Sequence, residues 1–306
     1  MRKWIVIVLM LVQASAIAKM NYNVSHAELN LPKGWAFGEV VGIVENDEGH
    51  RFVFNRGEHQ LIEFDSRGNF VKEIGQGQFS KPHGLRLDRQ GNIWTTDIET
   101  QLVQRFAPNG DVTMVLGMKH KASKGWFDRN YNLVLFNSPH DVGFDRFDNI
   151  YVVDKGNDRI VKLNRDGLLL KTWGKKGSDV GEFNFAHSIV IDESDRVLIA
   201  DRENQRIQLF DLDGHFLEQW QGIGYPYVLV KGKNSIWYTD ARHERIQQLD
   251  SNGETITTIQ GEQGRNVNQF GFAHGLHVRS QQQIFVTNVL NWNVLELTPA
   301  QSKSER

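Results

Sequence analysis

HGLRLDRQGNIWTTD, running from His83 to Asp97, holds two strand-length runs of alternating character, joined by a Gly91-Asn92 turn and closed by an aspartate. Period-two alternation places successive side chains on opposite faces of a strand, and the Gly-Asn step supplies a hairpin turn. The pattern returns as HDVGFDRFDNIYVVD from His140, HSIVIDESDRVLIAD from His187, YVLVKGKNSIWYTD from Tyr227 and HGLHVRSQQQIFVTN from His274. A more worn copy, VGIVENDEGHRFVFN, starts at Val41. Each copy continues into a third run such as RIVKLN (159–164) or RIQLFD (206–211), then an Asp-Gly or Asn-Gly turn, then a fourth run such as LLLKTWG (168–174). Four short antiparallel strands recurring about every 45 residues predict one propeller blade per copy, and hence a six-bladed all-β ring.

The sixth copy stops after VLELTP at Pro299, so its fourth strand must come from elsewhere. HAELNL, His26 to Leu31, alternates like a strand and precedes the first copy, so it is expected to join the last blade and close the ring. Closure of this kind covers two sheet edges that would otherwise invite aggregation.

At the N-terminus, Met1-Arg2-Lys3 precedes the apolar run Trp4 to Val12, and the small residues Ala14, Ala16 and Ala18 follow. That order predicts a cleaved signal over residues 1–18, one propeller domain over 19–306, no membrane anchor after cleavage, and a periplasmic or secreted location. The chain has no cysteine, which excludes disulfides and thiolate ligation, and its formal net charge of −2 gives no electrostatic footprint for nucleic acid. A monomer is expected.

Three alternate copies open on a histidine: His83, His187 and His274. Equivalent inner-strand positions in every second blade lie a third of a turn apart, so their side chains converge at the channel mouth. Three neutral imidazoles there would make a cradle for a zinc-type ion with an open position. Singly, each is more simply a hydrogen-bonded channel residue; together they point to a metal. His140, Tyr227 and Val41 hold the same place in the other copies, and His140 is open to reading as a fourth ligand, a partner of the ligands or a general acid/base. His50, His120, His215 and His243 fall in turns and read as solvated. After the second strand stand Arg56, Ile98, Lys155, Arg202, Ala241 and Val289, so three of these six residues are cations at the same mouth. Each cation either receives a substrate carboxylate or pairs with the neighbouring repeat's aspartate. Arg159, Arg206 and Arg245 read as structural.

FNRGEHQ around Arg56, KPHGLRLDRQGNIWTTD around His83, AHSIVI and ADRENQRIQLF around His187 and Arg202, and AHGL around His274 resemble peptidyl-α-hydroxyglycine α-amidating lyase, a family built of NHL repeats. The resemblance implies a metal-dependent lyase that cleaves the N–C bond of an α-hydroxyglycine peptide, a substrate engaged at its C-terminus, to the amide and glyoxylate. It implies His83, His187 and His274 as zinc ligands, with Arg56 and Arg202 as substrate-binding or catalytic cations. It further implies a calcium held by the carbonyls of Ile43 and Leu85 and by an aspartate after the third histidine, where this chain has Gly275. The family's catalytic tyrosine would fall in VVDKGNDRIV from Val152, where Lys155 and Gly156 stand; His140 and Tyr227 are the remaining candidates to handle the proton. Two other classes stay open, a different metal-dependent propeller hydrolase and a non-catalytic NHL-type module for a peptide or glycan.

Overall fold

Val40–Glu45, Pro82–Leu87, Pro139–Phe144, Ala186–Ile191, Leu229–Gly232 and Ala273–Ser280 are the inner strands of six four-stranded antiparallel sheets. Consecutive inner strands are neighbours, and the last lies against the first, so the sheets close into a six-bladed propeller. The computed structural model describes residues 22–123, 127–128, 133–266, 269–280 and 283–300; the expected signal segment lies outside them. No helix among the described residues is long and apolar enough to cross a membrane.

The blades form where the alternation is strongest, and the turns form where an aspartate or asparagine can organise them. Asp65, Asp88, Asp145, Asn164, Asp192, Asp211 and Asp250 each accept backbone N–H bonds from the residues two and four positions on. A short side chain thus does the work of the hairpin's own backbone. The aspartate that ends the second strand has a different task. Asp154, Asp201 and Asp240 are fully buried and receive the Nε of Arg159, Arg206 and Arg245 at 2.7, 2.7 and 3.0 Å, so these arginines tie each blade to itself.

Six apolar clusters fill the ring, one at each junction between blades. Val190, Leu198 and Leu209 of blade four meet Leu229, Ile236 and Tyr238 of blade five, and Ile43, Val53 and Ile62 of blade one meet Phe285 and Val294 of blade six. The core is therefore circular, and no blade buries its faces alone.

The closing strand differs from the expectation. Tyr22–His26, not His26 to Leu31, pairs antiparallel with Asn293–Pro299, from Tyr22 opposite Pro299 to His26 opposite Leu295. The ladder ends where Ala27 N–H donates to Val294 O. The alternation of Ala27, Leu29 and Leu31 has another cause, since these side chains pack over the blade one–blade six cluster after the chain has left the sheet. The longest spacing between copies, from blade two to blade three, carries an added two-residue pairing of Phe127–Asp128 with Leu133–Val134.

Candidate metal centre

Each inner strand except that of blade five breaks register where it reaches the channel. In blade four Ala186 pairs with Asp201 and Ser188 with Ala200, leaving His187 as the extra residue. The same shift falls at Val41, at His140, between Pro82 and Leu85, and between Ala273 and Leu276. A bulge frees a side chain from the pleat and re-aims it, and here it turns His83, His187 and His274 toward one another. Their ligand atoms all lie within 4.8 Å of one another, and all three rings are buried. His140 falls outside that trio, though its ring centroid is 4.1 Å from that of His83.

The blades between the ligand-bearing ones orient the trio. His83 Nδ1 lies 2.8 Å from the carbonyl of His140, His187 Nδ1 lies 2.9 Å from that of Tyr227, and His274 Nδ1 lies 2.9 Å from that of Val41. A carbonyl only accepts, so each Nδ1 carries the proton and each Nε2 keeps its lone pair for the centre. Burial pushes the imidazoles of His83 and His187 well below the usual histidine range, reinforced by neighbouring rings and by Arg56 or Arg202, and it brings His274 down to about 4. Neutral, buried, tautomer-fixed imidazoles are what a zinc-type ion requires, so the donor set fits.

The residues after the first and third ligands are glycines, and the bulge leaves them little room for a Cβ. A Cβ at Gly84 would stand 2.7 Å from His140 O and 2.7 Å from Thr96 Oγ1; at Gly275 it would stand 2.7 Å from Thr287 Oγ1 and 2.7 Å from Val41 O. Gly275 itself offers no carboxylate. Ile43 and Leu85 do line a cavity of about 20 Å³ beneath the trio, but its one carboxylate comes from blade three, as Asp141, and it is already engaged by Arg86. The residues present do not fit the implied calcium.

Around the mouth, Arg56 donates through Nε to Pro82 O at 2.9 Å and pairs with Glu39 at 2.6 Å. Arg202, at the start of a short 3-10 turn, pairs with Glu203, and its guanidinium carbon lies 3.7 Å from the Phe185 ring centroid and 4.6 Å from that of Tyr227. Among the described residues, neither pairs with a neighbouring repeat's aspartate. Lys155 Nζ stands 3.9 Å from the centre of the Phe185 ring, with no carboxylate partner among the described residues. Phe185 itself is held at a φ of +61°, two residues before His187, an unusual conformation for an aromatic residue that thrusts its ring between the cations. Tyr227 is buried with its ring 5.1 Å from that of His187, and its carbonyl rather than its phenol bears on the trio. His140 donates from Nδ1 to Ser138 O, leaving its Nε2 an acceptor; burial pushes this ring down to about 3.

Of the histidines expected to be solvated, His215 and His243 are exposed, though their Nδ1 atoms lie 2.9 Å from Asp211 and 2.7 Å from Asp240, while His50 is half-buried with Nδ1 2.6 Å from Glu63. Sequence reasoning missed Arg86, Asp141, Ser188 and His277; the signal was there in the third and first residues after each channel position, where Arg86 and His277 fall at equivalent places.

An NHL-repeat model matches residues 79–106 and 183–210, which contain His83 and His187. The chain is 30% identical over 169 residues to peptidyl-glycine alpha-amidating monooxygenase B of Xenopus laevis, covering 46% of this chain and 18% of that one. It is 29% identical over 158 residues to a probable peptidyl-alpha-hydroxyglycine alpha-amidating lyase of Caenorhabditis elegans, covering 44% and 43%. It thus spans less than half the length of these curated relatives. Among solved structures, a gluconolactonase of Xanthomonas campestris superposes with a TM-score of 0.67 at 12% identity over 94% of each chain, and an inactive virginiamycin B lyase of Staphylococcus aureus with 0.60 at 14% over 88% of this chain and 83% of that one. At such identities these two share the fold alone. The chain is a six-bladed propeller carrying NHL repeats, with homologues named as α-amidating lyases.

Proposed function

We propose that this protein is an exported, metal-dependent lyase that cleaves the N–C bond of an α-hydroxyglycine-type substrate, releasing an amide and glyoxylate. The observation that carries the reading is the trio itself, in which three imidazoles from alternate blades are each locked by the intervening blade's carbonyl into the ligand tautomer. A zinc-type ion held by the Nε2 atoms of His83, His187 and His274 would supply Lewis acidity toward the substrate's hydroxyl.

The chain's own groups supply the rest. Lys155, which lacks a carboxylate partner among the described residues, and Arg202 flank Phe185 and present positive charge where a terminal carboxylate enters. Arg56, tethered to Pro82 O, is held against the edge of the trio and opposes charge developing on the hydroxyl oxygen. His140 accepts at Nε2; it takes the hydroxyl proton and returns it to the departing nitrogen, so the proton moves from oxygen to nitrogen as the C–N bond breaks and the C=O of glyoxylate forms. Tyr227 positions His187 through its carbonyl.

Elemental analysis of the purified protein, with a glyoxylate-release assay on an α-hydroxyglycyl peptide, tests this. About one zinc-type ion per chain and glyoxylate release, both lost in the His83→Ala/His187→Ala/His274→Ala variant at unchanged circular dichroism, support it. Bound metal without glyoxylate release transfers the site to another metal-dependent reaction. Absence of metal from protein grown in metal-replete medium leaves the non-catalytic binding module as the reading.

A further inference from the structure

Beneath the histidines, the cavity floor is an ion pair between two blades whose hydrogen bonds reach two more. Arg86, from the inner strand of blade two, reaches Asp141 of blade three with Nε at 2.9 Å and a terminal nitrogen at 2.5 Å. The same terminal nitrogen donates to Ser188 Oγ of blade four at 3.0 Å. Ser188 Oγ–H in turn donates to Asp141 at 2.6 Å and accepts from Leu229 N–H of blade five at 3.0 Å. Val142 N–H at 2.9 Å and Ile189 N–H at 3.2 Å complete the shell of the carboxylate. Asp141 is buried and Arg86 nearly so.

We infer that the Arg86 guanidinium is a built-in cation that makes this propeller independent of calcium. The carbonyl-bearing residues expected to hold calcium, Ile43 and Leu85, border the same cavity as Arg86 and Asp141. Calcium takes six to eight oxygens and leans on carboxylates. The one carboxylate lining this cavity carries five hydrogen bonds, two of them from Arg86. A space of about 20 Å³ has room for one water-sized body, and the only carboxylate on its walls is already saturated by hydrogen bonds. The positive charge at the inner strands is thus supplied by a side chain, and the carboxylate that meets it stands on the next blade, as Asp141, while position 275 is a glycine. A guanidinium is part of the chain and cannot be lost to solution as a bound ion can, so the floor persists when divalent ions are scarce.

The test is thermal denaturation in millimolar EGTA and in millimolar calcium chloride, with elemental analysis for calcium. These readouts need no catalysis, and because EGTA also binds zinc-type ions they are repeated on the His83→Ala/His187→Ala/His274→Ala background, where the trio cannot contribute. Wild type is expected to melt identically in both and to carry no stoichiometric calcium. Arg86→Met should melt lower in both solutions. Arg86→Ala, which opens the space beside Asp141, should melt higher with calcium than with EGTA, and Arg86→Ala/Asp141→Asn should lose that response. A wild-type midpoint raised by calcium, stoichiometric bound calcium, or an Arg86→Met protein as stable as wild type would overturn the inference.

Discussion

His187 illustrates how much of the centre depends on single atoms. Its Nδ1 proton is spent on Tyr227 O, so its Nε2 has one task, and His187→Ala should reduce metal content and glyoxylate release to background while the fold persists. A variant that holds metal like wild type would show the ligands to be other residues. Gly84 offers a subtler test, because a methyl there collides with the carbonyl that orients His83. Gly84→Ala should cost about 1–3 kcal/mol in urea unfolding through overpacking and also weaken metal binding; loss of stability with metal affinity intact would separate the glycine from the site. His277 governs acid behaviour elsewhere in the channel. Burial, helped by Arg279 and Arg51, pushes its imidazole from 6.5 down to about 4. The unfolded chain then takes up the proton first, so stability is full above about 6.5 and falls with pH until the folded ring protonates, a loss of up to about 3 kcal/mol. His277→Gln should flatten the pH dependence of the urea midpoint between those values relative to wild type, the other channel histidines being common to both; parallel curves would refute it.

At the scale of strands and turns, two devices stabilise the blades. Arg206 lies wholly inside the protein against Asp201, so Arg206→Ala strands a buried carboxylate and should cost about 3–5 kcal/mol. Arg67→Ala, at a position 84% exposed, should stay within about 0.5 kcal/mol; equal losses would contradict the ordering. The Tyr22–His26 strand is the other device. A chain beginning at Ala27 exposes the edge of Asn293–Pro299 and should melt lower and aggregate on heating, as read by light scattering; unchanged melting would mean that the strand is dispensable. The blades were legible in the sequence because alternation and Asp/Asn turns are local signals. The closing strand was misplaced by four residues at its start and five at its end because Ala27, Leu29 and Leu31 alternate for the sake of the inter-blade core rather than a ladder. The bulges were illegible, since a single unpaired residue leaves no period to detect, yet they are what turn the histidines inward.

Across the whole molecule, the repeat made the trio visible, because the same strand position recurs in alternate copies and the ring converts recurrence into proximity. What the repeat hid was what one copy does for another: Arg86 reaching for Asp141, the Phe185 ring standing between two cations, and the carbonyls of His140, Tyr227 and Val41 serving the neighbours' rings. These are relations between blades, and a copy-by-copy reading sees only positions within one. They also give the ring a parity. Ligand and orienting carbonyl always come from adjacent blades, so the working unit is a couplet of blades, and three couplets close the circle. Such a ring can gain or lose blades only two at a time and remain in phase; an odd number would set two blades of one kind side by side and break the even spacing that brings the three imidazoles together.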